Sequence, residues 1–165
     1  MKKLLLISAL FLTFSLQAQD LKLNKGDFEV SGSGEFNQAV LGGGVRFGSF
    51  VADYVQLGVD LTYYDTDLVN RFSLGTYMLY MFETQTYALP YVGGKIALSS
   101  LEPDAGENES GLDFTLLFGL KYYVADNVSL NTEVHVGYSS AETYIDNDEA
   151  TSSDYGVTLG ISYYW

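Results

Sequence analysis

The sequence predicts an all-β fold, an eight-stranded antiparallel up-and-down β-barrel whose strands cross a lipid bilayer. The chain has 17 glycines, 14 tyrosines and 10 phenylalanines but two prolines, a composition that favours strands over helices. Eight stretches alternate apolar and polar residues with the period of two that a strand imposes. The apolar face of these stretches carries aromatic residues at both ends, which is the pattern of strands that pass two lipid–water interfaces.

The first 18 residues have the features of a secretory signal peptide. Two lysines precede an apolar run over 4–16, which is shorter than the roughly 20 residues that a membrane-spanning helix needs. We expect cleavage after Ala18, a short lead-in over 19–25 and one barrel domain over 26–165. The sequence has no cysteine, so a cysteine-linked lipid anchor and disulfide bonds are both excluded.

The first four strands are predicted over 27–36, 41–50, 55–64 and 71–82. The third has the clearest alternation, with Val55, Leu57, Val59, Leu61 and Tyr63 on one face and Gln56, Gly58, Asp60, Thr62 and Tyr64 on the other. Gly32 and Gly34 leave open a break in the first strand, because glycine weakens strands. The connections are a short segment at 37–40, a tight turn at 51–55 and a polar loop at 65–70.

The last four strands are predicted over 87–98, 112–122, 128–138 and 154–165. Tight turns at 83–86 and 125–127 lie at the same end of the barrel as the turn at 51–55. Two longer loops, at 99–111 and 140–153, lie at the opposite end. Their acidic residues are Glu102, Asp104, Glu107, Glu109, Glu142, Asp146, Asp148 and Glu149.

A short repeat relates the two halves of the chain. Residues 51–57, Val-Ala-Asp-Tyr-Val-Gln-Leu, match residues 124–130, Val-Ala-Asp-Asn-Val-Ser-Leu, at five of seven positions. Extending the match aligns Asp60 with Glu133. The offset of four strands is what two related half-barrels would give, and two similar turns that arose independently would give it too.

A soluble barrel with its apolar face inward is the main alternative fold, and the sequence argues against it. A soluble exterior needs abundant mixed charge, but the chain has eight Lys and Arg, two of them in the leader. Glycines are concentrated on the polar face, where they leave room in a narrow barrel for Tyr64, Tyr77 and Tyr91. The aromatic residues of the apolar face form one set at each end: Phe47, Phe82, Tyr122, Tyr163 and Trp165, and Tyr63, Phe72, Phe114, Tyr138 and Tyr155.

The last strand alternates from Tyr155 to Trp165 and ends on an aromatic residue. It resembles the closing strand of bacterial outer-membrane β-barrels, and residues 26–165 resemble the OmpA/OmpX-like superfamily of small outer-membrane β-barrel proteins. The resemblance implies a monomer in the outer membrane of a Gram-negative bacterium, surrounded by lipid and with periplasmic termini. It also implies that the barrel assembly machinery reads Tyr163 and Trp165. A net charge of −13 argues against a nucleic-acid partner.

Seven charged or ionisable residues are predicted to face the barrel interior: Glu29, Arg46, Asp60, Lys95, Lys121, Glu133 and His135. Asp113 could join them. The turn at 51–55 places Arg46 opposite Asp60, and the repeated turn places Gly119 opposite Glu133 with Lys121 diagonal to it. These residues could line a selective channel, or they could neutralise one another and fill a barrel of this width. We expect the filled lumen.

No catalytic, cofactor-binding or metal site is expected. His135 is the single histidine. Some eight-stranded barrels are lipid A deacylases that resemble serine hydrolases, and in those a serine follows the histidine by two residues, where this chain has Gly137. Residues 146–149 could hold calcium but lack the ligand spacing of an EF-hand loop. We therefore expect a structural or surface-interaction protein whose acidic loops are available to an extracellular ligand. The alternatives are a narrow porin-like diffusion channel and a lipid-modifying outer-membrane enzyme.

Overall fold

Eight antiparallel strands close into one barrel, as the sequence predicts. The computed structural model describes residues 23–37, 40–65, 69–103, 108–146 and 149–165; the predicted signal peptide lies outside them. The barrel strands are β1 (Phe28–Asn37), β2 (Val40–Ala52), β3 (Val55–Asp65), β4 (Val69–Met81), β5 (Ala88–Pro103), β6 (Glu109–Ala125), β7 (Val128–Ser139) and β10 (Ser153–Tyr164). A small hairpin of β8 (Tyr144–Asp146) and β9 (Glu149–Thr151) lies between β7 and β10. Within the described ranges, no helix is long and apolar enough to cross a membrane.

Consecutive barrel strands are paired, and β10 returns to β1 to close the sheet. β1 continues through its glycines without a break, since Gly32 is paired with Val45 on one side and Ile161 on the other. A closed sheet has no unpaired edge. This suits a lipid environment, because lipid tails offer no hydrogen bonds to free backbone groups.

The predicted loop over 99–111 is wrong in extent. β5 continues to Pro103 and β6 begins at Glu109, with Leu101 paired to Glu109. The prediction ended the strand at Leu98 because the apolar face ends there, but backbone pairing needs no apolar side chain. For the same reason the loop predicted at 65–70 is shorter than expected, and the one at 140–153 contains the β8–β9 hairpin.

The outward face of the barrel is aliphatic in the middle and aromatic at both ends. Leu116, in the middle of β6, is 59% exposed, as expected for a side chain that contacts lipid. At the end that holds the termini, Trp165 stacks on Phe28 with ring centroids 5.9 Å apart. At the other end, Phe114 pairs with Tyr138 across β6 and β7.

The two repeated segments form the same kind of hairpin. β2 and β3 have a bulge before their turn, after which Ala52 pairs with Val55. β6 and β7 have a bulge at the equivalent place, after which Ala125 pairs with Val128. The sequence repeat therefore corresponds to two bulged hairpins that lie four strands apart.

The end of the lead-in folds back beneath the barrel. The backbone N–H of Tyr54, whose φ is 61°, donates to the carbonyl of Leu23 at 3.3 Å, and the Lys25 N–H donates to Asp53 Oδ1 at 3.1 Å. Leu23 is 4% exposed and belongs to a cluster of inward-facing apolar side chains. The members of this cluster at the terminal end, here called the apolar floor, are Leu23, Phe50, Met81, Leu89 and Tyr123.

Candidate functional site in the barrel lumen

Glycines opposite the large tyrosines make room for them in the lumen. The cross-strand pairs are Gly42 with Tyr64, Gly58 with Tyr77, and Gly119 with Tyr91. A methyl group added at Gly119 would overlap the ring and hydroxyl of Tyr91. The predicted role of the glycines on the polar face is therefore confirmed.

Directly above the apolar floor, Lys121 and Glu29 form a buried ion pair. Lys121 Nζ lies 2.5 Å from Glu29 Oε1, and the two residues belong to β6 and β1, which are not neighbours in the sheet. Ser162 Oγ and Gln56 Nε2 also donate to the Glu29 carboxylate, at 2.6 and 2.8 Å. These donors compensate the desolvation of a carboxylate that water does not reach.

Arg46 bridges the middle of the lumen. Its Nε lies 2.7 Å from Asp60 Oδ2 on β3, and the hairpin register predicts this pair. Its terminal nitrogens reach Glu133 on β7 at 2.8 and 2.9 Å, which is a bidentate, charge-assisted contact. Lys95 Nζ lies 2.9 Å from the other Asp60 oxygen, and the Tyr91 hydroxyl donates to Glu133 at 2.9 Å.

Arg71 and Asp113 form a third buried pair, nearer the β8–β9 hairpin. Arg71 Nη2 lies 2.6 Å from Asp113 Oδ2, and the Arg71 guanidinium lies 4.4 Å from the centroid of the Tyr144 ring. Burial raises the pKa of the Tyr144 hydroxyl to about 12, so this side chain stays neutral while it covers the arginine.

His135 faces two carboxylates. Its Nε2 lies 3.1 Å from Glu35 Oε1 and 3.1 Å from Asp154 Oδ2. All three residues are buried. The inward direction that the sequence predicts for His135 is observed, and Gly137 lies two residues further along β7.

The diagonal placement of Lys121 and Glu133 predicts an ion pair between them, and this prediction is wrong. Lys121 pairs with Glu29 across the lumen instead. The narrow interior lets long side chains reach strands that are not adjacent, and Arg46 already occupies both Glu133 oxygens.

The predicted charge network of the lumen leaves out three ionisable residues: Glu35, Arg71 and Asp154. Each of them lies an even number of residues from an inward-facing residue of the same strand, so strict alternation places its side chain in the lumen. The apolar floor was missed as well, because its members interrupt the polar pattern and Leu23 precedes the first strand.

Little space is left among the described side chains of the lumen. Two cavities lie between them, each of about 20 Å³, which is room for about one water molecule. The lower cavity is lined by Glu29 and Lys121, and the upper one by His135 and its carboxylates. Arg46, Glu133 and Thr158 line both cavities and stand between them.

The remaining predicted sites lie at the ends of the barrel. Tyr163 and Trp165 stack with ring centroids 6.1 Å apart, beside the seam between β10 and β1. The backbone N–H of Trp165 donates to the Phe28 carbonyl at 3.2 Å, and the backbone N–H of Phe28 donates to the Trp165 carbonyl at 3.0 Å. Of the acidic segment 146–149, residues 147 and 148 lie outside the described part of the chain.

Comparisons with known proteins agree with this architecture. The structure of the N-terminal β-barrel domain of Pseudomonas aeruginosa OprF is similar, with a TM-score of 0.67 and 17% identity over 87% of this chain and 100% of that one. Neisserial surface protein A has a TM-score of 0.61 and 18% identity over 89% of this chain and 98% of that one. A major outer membrane protein from Thermus thermophilus has a TM-score of 0.60 and 12% identity over 86% and 100%. At these identities the likeness concerns the fold alone.

Sequence comparison gives the family. No curated protein sequence matches the chain. The family model described as Opacity family porin protein, however, matches residues 43–165, a stretch that includes six complete barrel strands and most of β2. The chain therefore belongs to the Opacity porin family, and it is an outer-membrane β-barrel protein.

Proposed function

We propose that this protein is a closed barrel with a structural or surface-interaction role, and that it acts through the loops opposite its termini. In this arrangement the termini and the tight turns are periplasmic, and the loops that contain 104–108 and 140–152 face outward. The single observation that carries the proposal is the Arg46 bridge. Because it joins β3 to β7, which lie four strands apart in an eight-stranded ring, it crosses the full width of the lumen.

A second barrier supports the same conclusion. The apolar floor fills the terminal end of the lumen, with Met81 and Leu89 fully buried. Ions would have to leave water to pass it, and an apolar constriction of this kind opposes conduction. An open path would therefore require both the displacement of Arg46 and the opening of the floor.

Single-channel recording tests this proposal. Wild-type protein in planar bilayers should show no steady current. The Arg46→Ala variant should also stay closed, because the apolar floor remains in place. A steady, ion-selective wild-type current whose selectivity changes in Arg46→Ala or Lys121→Ala would contradict the closed barrel.

A narrow diffusion channel is the second candidate, and the arrangement of the cavities favours it. Most residues that line the two cavities have polar side chains, and Arg46, Glu133 and Thr158 line both. Rotation of Arg46 away from Glu133 would join the cavities into one wet segment. This candidate requires the apolar floor to open as well. It predicts brief openings in wild type that become longer in Arg46→Ala, which distinguishes it from a permanently closed barrel.

We propose that the protein has no lipid-modifying activity. A lipid-directed catalyst needs its reactive groups at the lipid-facing surface, whereas the His135 side chain is buried in the lumen. Lipid A from cells that overproduce the protein should match lipid A from cells that produce His135→Gln. A change in acylation that depends on His135 would refute this.

A further inference from the structure

The buried charges of the lumen do not balance. Among the described residues, the inward carboxylates are Glu29, Glu35, Asp60, Asp113, Glu133 and Asp154, and the inward Lys and Arg residues are Arg46, Arg71, Lys95 and Lys121. The four cations lie in salt bridges with Glu29, Asp60, Asp113 and Glu133. The two other carboxylates, Glu35 and Asp154, both face His135.

One imidazole nitrogen does not satisfy two carboxylates. His135 Nε2 is hydrogen-bonded to Asp154 Oδ2 at 3.1 Å. Glu35 Oε1 lies at the same distance from Nε2, but it makes no hydrogen bond of acceptable geometry and is inaccessible to solvent. Glu35 is 8% exposed, so this oxygen is a buried acceptor that points at a nitrogen whose single proton is engaged elsewhere. Such an acceptor is costly unless another group binds it.

The three side chains are close enough to share one metal ion. Glu35, His135 and Asp154 each offer one ligand atom, and all of these atoms lie within 4.8 Å of one another. Bonds of 2.0–2.1 Å in a tetrahedral site place ligand atoms about 3.3 Å apart, close to the two observed separations of 3.1 Å. The upper cavity of about 20 Å³ is lined by all three residues, and it offers a water molecule the fourth position.

We propose that Glu35, His135 and Asp154 form a binding site for a divalent transition-metal ion such as Zn²⁺. A dication would neutralise the two carboxylates and would take the place of the proton on His135 Nε2, which leaves a neutral imidazole with its proton on Nδ1. One nitrogen and two carboxylate oxygens suit zinc, whereas calcium needs six to eight oxygen ligands. Three cations also line this cavity, Arg46, Arg71 and Lys95. Each is in a salt bridge with another carboxylate: Arg46 with Asp60 and Glu133, Arg71 with Asp113, and Lys95 with Asp60.

Residues that contact the proposed ligands would hold them in place. Tyr64 is a hydrogen-bond partner of Glu35, and the ring of Tyr64 is itself seated over Gly42. Outer contacts of this type orient metal ligands and tune affinity. The ion would couple β1, β7 and β10, the strands at the closing seam of the barrel.

Metal titration of the purified, folded barrel tests the site. The protein is stripped with a chelator, refolded with Zn²⁺ so that entry is not limiting, dialysed, and assayed for bound metal and affinity. Wild type should retain one Zn²⁺ per chain. His135→Gln and Glu35→Gln should each weaken binding by at least about 100-fold, since even loss of an outer contact costs 10–100-fold. The matched control, Glu142→Gln, removes an exposed carboxylate of the 140–152 loop and should bind as wild type does.

A second measurement does not depend on the variants folding. Co²⁺ in the wild-type protein should give the intense visible absorption of a low-coordinate site that includes a nitrogen ligand, and Zn²⁺ should displace it. Failure of the folded wild type to retain metal, a weak absorption typical of six oxygen ligands, or unchanged affinity in folded His135→Gln would each overturn the proposal. Loss of binding in Glu142→Gln would overturn it too, because the metal would then be held by the acidic loop.

Discussion

Replacing Gly119 with alanine should destabilise the barrel, whereas the same replacement at Gly32 should not. The added methyl at Gly119 would overlap the Tyr91 ring and hydroxyl, while a methyl at Gly32 would meet no atom within 4 Å. Both glycines lie within paired strands. The difference between the two variants therefore measures the steric cost of a methyl group beside Tyr91, separately from the general effect of replacing a strand glycine with alanine.

The expected loss of stability can be worked out from the contacts of Tyr91. Overpacking a filled interior costs about 1–3 kcal/mol. If the ring moves, its hydroxyl also leaves Glu133, to which it donates at 2.9 Å, and a hydrogen bond to a charged group contributes about 1.5–3 kcal/mol. The free energy of unfolding should thus fall by about 2.5–6 kcal/mol in Gly119→Ala, the sum of the two contributions. In Gly32→Ala it should change by less than about 1 kcal/mol.

Urea unfolding in phospholipid vesicles measures these differences, and Trp165, the only tryptophan, reports the transition by its fluorescence at the closing seam. A double-mutant cycle gives the decisive result. In a Tyr91→Ala background, Gly119→Ala should cost less than about 1 kcal/mol, because the clash has been removed. The reasoning is refuted if Gly119→Ala is as stable as wild type, or if its cost is the same with and without the Tyr91 ring.

Three other perturbations test the central ion pair, the closing seam and the orientation of the barrel. Arg46→Ala should lower the free energy of unfolding by about 3–5 kcal/mol, because Glu133 loses its bidentate partner inside the lumen; urea titration would show this, and a loss below about 1 kcal/mol would mean that water replaces the arginine. Deletion of Trp165 should lower the amount of protein inserted in the outer membrane and increase its degradation in the periplasm, as immunoblots of fractionated cells would show, and wild-type insertion would contradict its role at the seam. A glutamate-specific protease added to intact cells should cut at Glu142 and spare Glu83 until the outer membrane is breached; the reverse pattern would invert the proposed orientation.

Local periodicity was sufficient to predict the strands and one salt bridge. Alternation assigns each residue to the lipid or the lumen face, and a tight turn fixes the pairing of the two strands that it joins. Arg46 and Asp60 are opposite each other for this reason, and the contact could be predicted without a structure. Gly119 and Glu133 are opposite each other for the same reason.

Alternation and turn geometry do not predict the contacts that cross the lumen. The bridge from Arg46 to Glu133 and the pair of Lys121 with Glu29 join strands that are not neighbours. Their partners depend on the tilt and stagger of the closed sheet, which no local pattern encodes. Leu23 was missed for a different reason, because it contributes to the core from outside any strand and a single apolar residue has no periodicity.

The repeat explains why one arginine is enough to bridge this lumen. Asp60 and Glu133 occupy equivalent positions of the two bulged hairpins, and an offset of four strands in a ring of eight places them on opposite walls. The position equivalent to Arg46 in the second hairpin is Gly119. A second arginine there would compete for the same space, whereas glycine admits the Tyr91 ring, whose hydroxyl binds Glu133. The two halves therefore differ at this position. The first half supplies the Arg46 guanidinium. The second half supplies the space for the Tyr91 ring at Gly119 and the hydrogen bond from the Tyr91 hydroxyl to Glu133.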